Sequence, residues 1–242
     1  MFGDKLDPQK NWTPEQFYQA AKDELDSGNY QGAVKLYQAL EAKYPFGRYA
    51  QQAQIDIAYS YYKEGETAQA IAACDRFMKL HPNHPNLDYA LYLKALTHYK
   101  LDQGLLGAWL DQDISERDPK ALSESFDVFK ELVERFPESR YADDSRARMA
   151  FLINTLARHE VHVANYYYNR GAYLAAANRA QSALLRYPQA PSNEDALTMM
   201  VKAYEKMGMN DLAADAKRVL EKNFPKNQSA QGQSGKTWWK LW

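Results

Sequence analysis

The stretch Gly28-Asn29-Tyr30-Gln31-Gly32-Ala33, continued by Leu36, Tyr37 and Leu40 and closed by Tyr44-Pro45, decides the fold because the chain repeats it. Gly65, Ala70 and Pro82 stand 37 positions after Gly28, Ala33 and Pro45. The same spacing of 37 carries Gly171, Ala176 and Pro188 onto Gly208, Ala213 and Pro225. Glycine suits the left-handed turn that ends a helix. The small residue lets a second helix approach the first, and the proline stops that second helix. This is the second half of a tetratricopeptide-type helix-turn-helix repeat.

Working outward, repeat 1 opens with Phe17, Ala20, Ala21 and Leu25 at helical spacing. Repeat 2 places Ala58 between its helices and Ala70, Cys74 and Phe77 on its second helix. Cys74 occupies the core slot that Tyr37 occupies in repeat 1, so its thiol reads as buried and inert. Repeat 3 is interrupted. Pro82 to Pro137 is 55 positions, 18 beyond the register, and the surplus falls between Asp102 and Pro119 around Trp109. Repeat 4 exceeds the register by 14, and the Gly- and Pro-free run from Asp143 to Asn169 predicts one long helix. Repeat 5 runs from about Asn193 to Pro225.

The expected fold is therefore all-α, an α-solenoid of five tetratricopeptide-type repeats with a flexible C-terminal tail. Residues 1–12 form an N-terminal extension, 13–137 the first three repeats and 138–225 the last two. Residues 226–242 begin polar and Gly-containing and end on Trp238, Trp239 and Trp242. That tail reads either as a segment folded back on the last repeat or as an anchor for a partner or membrane interface.

Composition narrows the function. With 30 basic and 31 acidic residues the net charge is −1, so nothing global draws the chain to nucleic acid. No window is apolar enough for a transmembrane helix. Phosphate-binding glycine loops, HExxH and the GxSxG elbow are all missing from the sequence. The pairs His81/His84 and His159/His162 lack a third ligand, and Asp111, Asp113, Glu116 and Asp118 lack calcium-loop spacing. No cofactor, metal or catalytic activity is expected.

The 18 tyrosines point instead to recognition. With Ala21, Ala58 and Ala95 taken as equivalent, the first helices present Tyr18, then Ile55, Tyr59 and Tyr62, then Tyr89, Tyr92 and Tyr99 to the inner face. Repeats 4 and 5 present Arg158, Val161, Asn165 and Tyr168, then Asp195, Thr198, Lys202 and Glu205. An aromatic half and a polar half suggest two binding surfaces. The alternative is that several of these tyrosines simply pack between helices.

Tyr44-Pro-Phe-Gly-Arg-Tyr49, His84-Pro-Asn-Leu-Asp-Tyr89, Glu116-Arg-Asp-Pro119, Arg170-Gly-Ala-Tyr173 and Ala177-Asn-Arg179 together resemble the BamD (ComL) family of outer-membrane protein assembly lipoproteins. The resemblance runs from about Thr13 to Pro225. It implies a protein on the periplasmic face of the outer membrane, held by an N-terminal lipid absent from this chain. It implies that the N-terminal repeats receive C-terminal targeting signals of unfolded outer-membrane β-barrel proteins, through positions matching Tyr44, Phe46 and Gly47. It also implies that the C-terminal repeats dock the POTRA region of BamA, with Arg179 facing a carboxylate, alongside other lipoproteins of that machine. A periplasmic adaptor of another envelope complex is the competing reading, and co-purification of BamA separates the two.

Overall fold

The computed structural model describes residues 11–102 and 119–225, the side chains of 100–102 excepted. Most of the insertion and the whole Trp-containing tail therefore lie outside the described residues. Every regular element among the described residues is a helix. Repeat 1 is α1 (Pro14–Asp26) and α2 (Tyr30–Lys43), and repeat 2 is α3 (Arg48–Glu64) and α4 (Thr67–Leu80). Repeat 3 is α5 (Leu87–Asp102) and α6 (Lys120–Arg135), and repeat 4 is α7 (Ala142–Asn169) and α8 (Tyr173–Arg186). Repeat 5 is α9 (Asn193–Lys206) and α10 (Asn210–Asn223).

The boundaries follow from local chemistry. Thr13 and Gln16 form a capping box, with Thr13 Oγ1 accepting from the Gln16 N–H at 3.2 Å and Gln16 Oε1 accepting from the Thr13 N–H at 2.8 Å. Pro14 supplies a first helical residue that needs no donor. Gly65 ends α3 at φ 88°, a left-handed conformation that a Cβ would strain. Tyr30 opens α2, because Asn29 takes the cap and accepts from the Gly32 N–H.

Each second helix stops two residues before its proline. The residue between them is always aromatic: Tyr44, His81, Phe136, Tyr187 or Phe224. All five adopt φ near −130° and ψ near 60–70°. The following proline bars the α region, so the helix cannot continue. Each of these residues still donates its N–H to the carbonyl four positions back.

The chain forms two compact units that divide between Leu152 and Ile153, inside α7. The first unit thus extends past Pro137 into the opening turns of α7, because Tyr141, Asp144 and Phe151 pack and bond against α5. Its fully buried side chains include Tyr37, Leu40, Ile55, Phe77, Leu91, Phe129 and Leu132. Cys74 lies among them, and burial pushes its thiol up to about 12. The second unit is built largely on alanine: Ala164, Ala176, Ala177, Ala180, Ala183, Ala196 and Ala203 form one cluster with Val161 and Met199.

Candidate binding surfaces

In the first unit the expected tyrosines form neighbouring groups. Ile55 is not among the groove residues: it is 1% exposed and packs against Phe77, Leu87 and Ala90. Asp56, one residue on, is the polar centre. Its carboxylate accepts from the Tyr18 hydroxyl at 2.9 Å and from Gln52 Nε2 at 3.1 Å. Burial raises the Asp56 carboxyl above the ordinary aspartate range, partly offset by those hydrogen bonds and by the Lys22 charge. Burial and the Asp56 charge raise Tyr18 and Tyr37 in turn.

Beside Asp56 lies a pocket of about 490 Å³, lined by Lys22, Asp26, Lys63, Tyr59, Tyr89 and Asp56 among others. Lys22 bonds Asp26 at 2.8 Å, which raises its ammonium above the usual lysine value. Tyr59 and Tyr89 are half-buried and both line the pocket. Tyr62 packs against the cluster of Ala58, Cys74 and Leu93 and does not line that pocket.

Tyr89 leads into a second group. Its ring lies 5.6 Å from that of Tyr141, and Tyr141 stacks on Tyr92 at 4.6 Å and 18°. The Tyr92 hydroxyl donates to Asp144 at 2.7 Å, and Arg148 Nε donates to the same oxygen at 2.5 Å. Burial alone would raise the Asp144 carboxyl, but the hydrogen bonds from Arg148 and Tyr92 and the Arg148 charge outweigh it and hold the carboxyl below its usual range. Burial and the bond to Asp144 push Tyr92 up to about 12. Tyr99 meets Phe151 edge-on at 6.2 Å, with the Arg148 guanidinium 5.6 Å from its ring.

Tyr44, Phe46 and Gly47 sit at the turn between α2 and α3 and play unlike parts. The Tyr44 hydroxyl donates to the Trp12 carbonyl at 2.8 Å, and its ring packs on Phe17. Gly47 caps α3 at φ 101°. Phe46 between them is 91% exposed. It is the most exposed large apolar side chain described, and burying it would release water from a whole ring.

Tyr141 was missed in the sequence, yet a signal for it exists. Tyr-Ala opens the first helix of three successive repeats, at Tyr49-Ala50, Tyr89-Ala90 and Tyr141-Ala142, and all three alanines are buried. Tyr49 and Tyr141 also share an arginine neighbour lying over the ring, Arg48 at 4.8 Å and Arg140 at 4.7 Å.

In the second unit, Arg179 is already bonded within the chain. Its Nη1 donates to Glu160 Oε2 at 3.0 Å, and Arg186 Nη1 donates to Glu160 Oε1 at 3.1 Å. The Glu160 side chain is 6% exposed, while those of Arg179 and Arg186 are 46% and 57% exposed. Val161, expected on the inner face, is in the core. Arg158, Asp195, Lys202 and Glu205 are exposed, as a polar face requires. In the first histidine pair His81 Nε2 lies 2.8 Å from Gln54 Oε1, and His84 Nδ1 accepts from the Asn86 N–H. Among the described residues no group of three or more His, Cys, Asp or Glu is arranged to hold a metal ion.

Five helix-turn-helix repeats define a tetratricopeptide-type repeat protein. A family model described as "YfiO: Outer membrane lipoprotein" matches residues 10–220. A Neisseria meningitidis "Outer membrane protein assembly factor BamD" is 48% identical over 96% of this chain and 88% of that protein. A Vibrio cholerae protein of the same name is 35% identical over 87% of each. Among solved structures, the "TPR2AB-domain:pHSP90-complex of yeast Sti1" matches at a TM-score of 0.48 and 11% identity, over 88% of this chain and 78% of that one. The chain belongs to the BamD family of outer-membrane protein assembly factors. Among the described residues no helix is long and apolar enough to cross a membrane.

Proposed function

We propose that the first unit receives the C-terminal targeting segment of unfolded outer-membrane β-barrel proteins and that the second docks the periplasmic POTRA region of BamA. The observation that carries the first half is the pocket beside Asp56, where Tyr59 and Tyr89 stand next to Lys22 and Lys63. An extended aromatic peptide gains roughly 0.5–1.5 kcal/mol from each ring contact beyond area burial. Phe46 adds a separate exposed ring to the same unit, and Tyr44 and Gly47 fix the turn that exposes it.

For the second half, the half-exposed guanidinium of Arg179 suits a partner carboxylate. Membership of a family described as outer-membrane lipoproteins supports a place on the periplasmic face of that membrane, reached through a lipid, beside the other lipoproteins of the machine. The activity is adaptor binding without catalysis. The test is a titration of a labelled β-barrel C-terminal peptide against the parent chain and Tyr92→Ala. A several-fold weaker complex is expected. An unchanged dissociation constant would show that Tyr92 serves only its stack with Tyr141.

A further inference from the structure

We infer that Arg179 and Arg186 form one two-armed cationic site, anchored by the buried Glu160, whose ligand is a protein surface presenting a pair of carboxylates beside an apolar side chain. This rests on the docking role proposed for the second unit and adds a second arm and an anchor to it. The two arginines are seven residues apart on α8 and so lie on one face. One carboxylate serves both, through separate oxygens at 3.0 and 3.1 Å. One negative charge against two positive charges leaves the cluster cationic. Each guanidinium carries five N–H donors, and most of them remain for a ligand.

The arms are also held in place. The Arg186 guanidinium lies 5.3 Å from the Tyr187 ring while it bonds Glu160. Side chains already ordered lose less entropy on binding. Leu185, the residue before Arg186, is 74% exposed on the adjoining face of α8, and an apolar side chain there favours a protein surface over a lipid headgroup.

Comparison with the other repeats shows what is unusual. Lys43 and Arg135 occupy the register position of Arg186 and lie 5.2 and 5.3 Å from their own aromatic caps. Lys43 donates to the Trp12 carbonyl, and Arg135 pairs with Glu131 of its own helix, which is half exposed. Arg135 thus holds a half-exposed acid of its own helix, where Arg186 holds a buried one on the preceding helix. A buried ion cluster is a poor device for stability, because desolvation offsets its attraction. An apolar residue at Glu160 would hold α7 against the alanines of α8 without that cost. The cluster instead holds two half-exposed guanidiniums on one buried carboxylate.

The test is calorimetric titration of the purified BamA periplasmic region into the parent chain, Arg179→Ala, Arg186→Ala and Arg186→Lys, with anionic-lipid vesicles as a separate arm. Each alanine variant keeps one arginine on Glu160 and is expected to fold. Both should weaken BamA binding about fivefold or more, and Arg186→Lys should recover only part of the loss because it lacks the planar fork. Combining both alanines with Glu160→Gln, so that no buried charge is left unpaired, should cost less than the product of the single effects. Arg186→Ala binding as tightly as the parent while Arg179→Ala binds weakly would overturn the two-armed site and leave the docking role standing. A parent chain that does not bind the BamA region overturns both. Loss of vesicle binding with BamA binding intact would reassign the site to a lipid headgroup.

Discussion

The first unit closes its core with Tyr37, Phe77, Phe129 and Leu132, whereas the second closes its core with Ala164, Ala176, Ala180 and Ala183. Large core side chains meet further rings at the surface, so the first unit carries half-buried tyrosines whose hydroxyls are tied to Asp56 and Asp144. Alanine packing brings helix backbones close together. Glu160 of α7 can then reach Arg179 and Arg186 of α8 at 3.0 and 3.1 Å. The bulky unit ties half-buried tyrosines to carboxylates, and the small-residue unit, which also exposes Tyr166, Leu174 and Leu185, holds two guanidiniums on one buried glutamate.

The difference can be broken from the inside. Phe77→Ala empties a slot lined by Ile55, Leu87, Ala90 and the rings of His81 and His84. Denaturant unfolding should show a loss of about 3–5 kcal/mol, the range for a buried Phe. In the alanine core the damage comes from the opposite change. Ala180→Leu should cost about 1–3 kcal/mol by overpacking. If Ala180→Leu were neutral or stabilising, the second core would be loose rather than close-packed, and the contrast between the units would fail.

A smaller effect sharpens the same contrast at high pH. Tyr92 is raised to about 12, and Tyr18, Tyr37 and Tyr89 move the same way, chiefly through burial. A raised folded value means the stabilisation is complete below the unfolded tyrosine value of about 10 and is lost as pH rises through the folded one. Stability carried by Tyr92 should therefore decline between about pH 10 and 12, and Tyr92→Phe should flatten part of that decline. An absorbance titration should show a late-ionising group among the 18 tyrosines. A single ionisation step near pH 10 for all of them would contradict the burial of the aromatic face.

Much of this was legible in the residues. The spacing of 37 places α2, α4, α8 and α10, and the Gly- and Pro-free run places α7. Tyr59, Tyr89, Tyr92 and Tyr99 follow from the alanine alignment, which loses its register at the insertion and so passes over Tyr141. Ile55 and Val161 were misplaced because a helix face grades into the core without a sharp edge. Two acids escaped for a different reason: whether a lone carboxylate is buried depends on its partners, which come from other helices. Even so, Glu160 stands between Ala157 and Ala164 at i+3 and i−4, and Asp56 stands between Ala53 and Ser60 in the same way. A charge inside a buried small-residue stripe was the available signal.

The claim that the two units serve different partners is tested most directly by titrating both ligands against the same two variants. The labelled β-barrel peptide and the BamA periplasmic region are each titrated against Tyr59→Ala/Tyr89→Ala and against Arg179→Ala. The tyrosine pair should weaken peptide binding about tenfold, from two lost ring contacts, and leave BamA binding at the parent value. Arg179→Ala should do the reverse. Equal weakening of both ligands by either variant, or a tyrosine pair that leaves peptide binding unchanged, would contradict the division of labour.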